Sequence, residues 1–256
     1  MEEIMQSNTY FILPLTLAYL SACALWFLLD RKSKSWQIET IEKPAKPWID
    51  LLLGLVACVA ILAIGQLYSA GYLIPSSSSK ALNRIIWPLN NVIIFSPIFL
   101  ILFLRKQSLK TIFISWKEVP RKLIFGLAAS IVGILIFLSL RGELSRIPEI
   151  AMHSIKPASL SSFPATFFEN VAIAFLFVRL KWVLGIRWAI AIPALLFAFS
   201  HVPGSLAEGD SWANIITFFL LTGGLTTFIL YTAYRSRDIL WLGVLHYLMD
   251  VTIKVF

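Results

Sequence analysis

Eight times along its 256 residues the chain runs for roughly twenty positions with almost no charge. A helix needs about 20 predominantly apolar residues to cross the hydrocarbon core of a bilayer. The runs fall at about 9–29, 48–73, 85–104, 123–140, 162–180, 188–204, 212–234 and 239–255, the last few short or interrupted. Polar and Pro-bearing stretches separate them: IPSSSSK at 74–80, KEVPRK at 117–122 and HVPGSLAEGD at 201–210. Composition agrees, because charged residues make up 14% of the chain where a soluble domain carries about 25%. The expected fold is all-α: a polytopic integral membrane protein, one bundle of about eight transmembrane helices. The mixed apolar and basic segment SLKTIFISWKEV, residues 108–119, is expected to lie along the membrane interface. No internal repeat is evident.

The formal net charge of +8 does not point to nucleic acid. Its basic residues sit mostly between apolar runs, which is the pattern of membrane topology. The loops around 31–46, 105–122, 179–187 and 235–237 carry sixteen Lys and Arg, and the alternate loops carry six. The positive-inside rule then places both termini outside the cytoplasm. The first run follows an acidic start, MEEIMQSN, and lacks a small-residue cleavage site, so a retained helix is expected there. Cys23 and Cys58 lie inside expected spans and form no CxxC or Cys/His cluster, so they read as small apolar fillers.

Ionisable groups inside spans are costly, by about 2.5–3.5 kcal/mol at a helix centre, and are functional candidates by default. Away from the helix ends they are Glu169, His201, His246 and Asp250, with Asn170 the uncharged neighbour of Glu169. His246 and Asp250 are spaced i, i+4 and project from one helix face. At about 1.5 Å per residue, Glu169 falls about 10 Å and His201 about 5 Å from the outer side, with Asp250 and His246 in the same half of the membrane. Each has a plain structural alternative. Glu169 suits a polar contact between helices, His201 an interfacial histidine, and Asp250 a salt bridge with Lys254 one turn on. His153 reads as a solvated loop residue. The convergence of four groups from three helices is what favours a shared site.

Two chemistries fit such a set. A glutamate in a low-dielectric site is a candidate base for water, a histidine beside it shares the proton, and a second histidine faces a developing oxyanion. Alternatively, two histidines and two carboxylates suit a metal such as Zn²⁺ with room for a water.

In order and spacing these residues resemble the CAAX-prenyl protease and bacteriocin-processing family of intramembrane glutamic endopeptidases. That family carries a glutamate pair followed by an arginine, then Phe-x-x-x-His, then His-x-x-x-Asn or His-x-x-x-Asp. Phe197 to His201 fits the second motif, in LLFAFSHVP, and His246 to Asp250 fits the third, in SRDILWLGVLHYLMD. Glu169 occupies the first glutamate position, while Asn170 replaces the second and Ala174 stands where the arginine is expected. Without an arginine, a second buried carboxylate would be an unpaired charge, and Asn avoids that cost.

The resemblance covers roughly 160–256. It implies a catalytic core in 159–256, and the apolar runs leave about four N-terminal transmembrane helices in 1–158. It also implies that Glu169 with His201 activates water, that His246 and Asp250 form the oxyanion side, and that Asn170 and Phe197 support them. An ionised Asp250 repels an oxyanion, so it must be protonated or serve to orient His246. The resemblance implies no metal and no cofactor. The expected partners are the lipid bilayer and a peptide or protein substrate at the membrane, with no nucleic acid. The expected location is the bacterial plasma membrane, with roles in bacteriocin or protein processing. Two other classes fit the same residues: an inactive family member serving as an immunity or substrate-binding factor, and a proton-coupled transporter.

Overall fold

The structure, a computed structural model, describes residues 2–30, 41–207 and 209–256, the side chains of residues 2–11, 30, 200, 201, 203, 204 and 207 excepted. The helices are α1 (Glu2–Asp30), α2 (Pro47–Ser69), α3 (Lys80–Leu104), α4 (Val119–Arg141), α5 (Ile147–Ser154), α6 (Pro157–Leu160), α7 (Phe163–Leu184), α8 (Ile186–Ala207), α9 (Trp212–Ser236) and α10 (Leu240–Ile253). Every expected apolar run is a helix, and the described residues contain no strand. By length and apolarity alone five cross a membrane: α1 over Ile12–Leu29, α2, α3, α4 and α9. The apolar stretches of α8 and α10, Ile186–Phe199 and Leu240–Ile253, are shorter. The chain is an integral membrane protein. Part of its first basic loop, residues 31–40, lies outside the described residues.

The structure adds to one expectation and corrects another. The middle of the 108–119 segment packs into the protein. A 3-10 turn, Leu109–Ile112, leads to Phe113 in the left-handed region at φ 59°, and this turns the chain inward. Ile112, Phe113 and Ile114 are buried, and the Phe113 carbonyl accepts the Ile239 N–H at 3.1 Å. Apolar burial therefore overrides the basic residues, and Lys110 and Lys117 stay exposed at its flanks. His153, expected in a loop, sits near the end of α5, because 147–160 folds into two short helices. The α5 helix is tied to α10 by Tyr247 Oη, which donates to the Ser154 carbonyl at 2.8 Å.

Six helices pack in a closed ring, in the order α1, α4, α10, α7, α8, α9 and back to α1. The α2 and α3 helices pack on each other and on α7 from outside the ring. Sequence explains the division. Leu52, Leu55, Val59 and Leu62 of α2 are exposed, a face suited to lipid. By contrast, α7 is buried on every side over Ala174–Leu180, as expected of a central helix. Small residues let the ring close, as they do between helices in lipid. A Cβ on Gly126 of α4 would lie 2.7 Å from the Trp241 carbonyl oxygen of α10. Gly133, two turns on, faces Met249 of α10 and Ala18 and Ala22 of α1.

Candidate active site

The α7–α10 seam is set by Gly243, where a Cβ would meet the Phe167 ring at 3.0 Å. One turn along each helix from this contact, Asn170 and His246 meet. Asn170 Nδ2 donates to the Thr166 carbonyl at 2.9 Å and lies 3.1 Å from His246 Nδ1. His246 Nε2 lies 3.5 Å from Asp250 Oδ1. The other carboxylate oxygen of Asp250 accepts from Thr166 Oγ1 at 3.1 Å. Asp250 is thus engaged by Thr166 and His246, and it forms no ion pair with Lys254. The side chains of His246 and Asp250 are only partly covered, at 23% and 30% exposure, so the cluster is accessible.

Glu169 is exposed beside this cluster, within electrostatic range of His246, Asp250 and Lys254. Glycine sets its relation to α8. At Gly185 the backbone adopts φ 82°, which glycine adopts without a Cβ penalty, and α8 begins at the next residue. The α7 and α8 helices therefore form a tight hairpin and pack along their length. Glu169 lies sixteen residues before Gly185 and His201 sixteen after it, so the two backbones stand at the same level. The His201 side chain lies outside the described residues, and Phe197 is half-buried one turn before it.

Arg179 is committed elsewhere. It is fully buried, donates to the Phe175 and Thr111 carbonyls at 3.0 and 3.2 Å and to Gln107 Oε1 at 2.5 Å, and stacks over the Phe175 ring. It serves the far end of α7 and does not stand in for an arginine beside Asn170. Ala174, at the expected arginine position, instead lines a small cavity of about 40 Å³ together with Asn170, Phe177, Thr226 and Leu230.

Two contributors were not singled out in the sequence. Thr166 orients Asp250, and Tyr19 of α1 is buried within electrostatic range of both Asp250 and Glu169. Thr166 carried one signal: it precedes Asn170 by a helical turn and so shares its face. Tyr19 carried none, since a tyrosine in an apolar run is ordinary. Among the described residues no three His, Cys, Asp or Glu side chains converge as a metal ion requires.

Residues 158–252 match the family described as type II CAAX prenyl endopeptidase, Rce1-like. The matched segment begins at α6 and ends within α10, so it contains the whole cluster and the α7–α8 hairpin. No curated protein and no solved structure matches the chain.

Proposed function

We propose, from the premise that residues 158–252 belong to the Rce1-like CAAX prenyl endopeptidases, that the chain is an intramembrane endopeptidase. Its substrate is a membrane-associated protein or peptide. Glu169, with His201 at the same level, takes the proton of a water as that water attacks the scissile carbonyl. His246 faces the oxyanion that develops, and Asp250, held by Thr166, orients His246. The observation that carries this reading is the Thr166–Asp250–His246–Asn170 network set directly beside Glu169. Such a chain is an orienting scaffold around two groups of catalytic type, and a helix-packing contact alone requires no such chain.

The test is proteolysis by the full-length protein in proteoliposomes, using membrane-anchored and C-terminally prenylated peptides. Glu169→Ala and His246→Ala are each expected to abolish cleavage while the protein stays inserted and folded. Cleavage unchanged in both sinks the proposal. Asn170 and Ala174 motivate a second reading, a non-catalytic substrate-binding or immunity factor of the same fold. That reading expects the biological phenotype, and peptide binding, to survive Glu169→Ala.

A further inference from the structure

The geometry points to Asn170 as the positioning residue that fixes the tautomer of His246. A carbonyl oxygen only accepts hydrogen bonds, so the Asn170 atom 2.9 Å from the Thr166 carbonyl must be the amide nitrogen. Rotating the amide would set two acceptors face to face at that distance. The same nitrogen lies 3.1 Å from His246 Nδ1. An amide nitrogen donates and does not accept, so Nδ1 carries the lone pair. A neutral imidazole then holds its single hydrogen on Nε2.

The consequence lies on the other side of the ring. Nε2–H is 3.5 Å from Asp250 Oδ1, beyond the usual 2.7–3.2 Å of an N–H···O bond. Asp250 is meanwhile held by Thr166 through its other oxygen. The Nε2 hydrogen is therefore only weakly committed, on a side chain that is 23% exposed. On the catalytic reading above, from which this inference takes its functional meaning, it is a donor kept ready for an oxyanion. A carboxylate at position 170 would do the reverse. It would accept a hydrogen from Nδ1, and a neutral His246 would then turn a bare Nε2 lone pair towards the oxyanion.

The chain has three histidines, which makes a direct spectroscopic test practical. Full-length protein labelled with ¹⁵N-histidine is measured in micelles above the histidine titration range. Signals are assigned with His153→Gln and His201→Gln. His246 is expected to show an unprotonated Nδ1 and a protonated Nε2, and Asn170→Asp is expected to place a hydrogen on Nδ1. A wild-type His246 with protonated Nδ1 overturns the assignment without recourse to any variant. An unchanged His246 spectrum in a folded Asn170→Asp protein overturns the role of Asn170.

Cleavage separates this inference from the one beneath it. Asn170→Asp is expected to lower kcat by at least about tenfold with little change in KM. An altered tautomer with unchanged kcat removes the catalytic consequence. Proteolysis that survives Glu169→Gln removes the endopeptidase reading and leaves the tautomer assignment intact.

Discussion

At the level of single residues, legibility followed chemical contrast. Glu169, His246 and Asp250 stood out because a charge in an apolar run is rare and expensive. Thr166 did not stand out, because a threonine hydroxyl is easily satisfied within its own helix, as Thr226 is by the Thr222 carbonyl at 2.7 Å. Only the folded chain shows that the Thr166 hydroxyl turns instead to Asp250 of another helix. Tyr19 was hidden for a similar reason: its neighbours Asp250 and Glu169 are far away in sequence. Asn170 was visible as a departure from the family motif, but its amide contact with the Nδ1 side of His246 needed coordinates. The Thr166 bond gives a quantitative expectation. A hydrogen bond to a charged group contributes about 1.5–3 kcal/mol, and tenfold in rate is about 1.4 kcal/mol. Thr166→Val, which keeps the side-chain shape, is expected to lower kcat about ten- to a hundredfold with inserted protein levels unchanged. Cleavage kinetics on the purified variant check this, and wild-type kcat would show that Asp250 needs no help from Thr166.

At the level of elements, the apolar runs located every long helix, because length and hydropathy are set by the bilayer and not by the neighbours. What the runs did not reveal was how closely those helices approach. Gly126 and Gly65 illustrate the difference, since both are glycines within apolar helices. Alanine is the better helix former by about 1 kcal/mol, so propensity alone favours Gly→Ala at both. At Gly65 a Cβ meets nothing within 4 Å. At Gly126 it would lie 2.7 Å from the Trp241 carbonyl oxygen and 2.9 Å from Val244 Cβ, so α4 and α10 must separate. Overpacking costs about 1–3 kcal/mol, which outweighs the propensity gain. Gly65→Ala is therefore expected to be neutral or stabilising by up to about 1 kcal/mol, and Gly126→Ala destabilising by about 1–2 kcal/mol. Thermal unfolding in detergent reads both, and a Gly126→Ala protein as stable as wild type contradicts the close approach. The inward turn at Phe113 was illegible in the same way, because its burial depends on a cleft built by α7 and α9 residues such as Phe177 and Ala233.

In the whole molecule, polar groups are divided between the two ends of the bundle. The Thr166–Asp250–His246–Asn170 cluster lies towards the end where α7 starts, and buried polar clasps lie at the other. Asp50 of α2 receives Arg105 Nε and Gln107 Nε2, each at 2.9 Å, and Gln107 in turn accepts from Arg179. Nearby, Lys122 of α4 pairs with Asp238 at 2.5 Å, both almost wholly buried. Asp238 also accepts from the first N–H groups of α10, Leu240 at 2.8 Å and Trp241 at 3.4 Å. The clasp thus fixes the start of the helix that carries His246 and Asp250 about two turns later. Burial pushes the Asp238 carboxyl up, against the lowering pull of Lys122 and of those two N–H groups. A carboxyl raised in the folded state holds more protons there than in the unfolded chain. Its contribution to stability therefore falls as pH rises from the ordinary carboxylate range, about 4, through the raised value. Lys122→Met removes the main opposing pull, so the window widens upwards and the loss at neutral pH grows to about 3–5 kcal/mol, the cost of a stranded buried charge. The variant is expected to regain stability as pH is lowered. Lys122→Met with Asp238→Asn, which keeps an acceptor for the α10 N–H groups, is expected to recover most of the loss at every pH. Unfolding curves across pH decide the matter: a Lys122→Met protein whose stability does not rise on acidification would show that the clasp holds α10 by packing and not by charge.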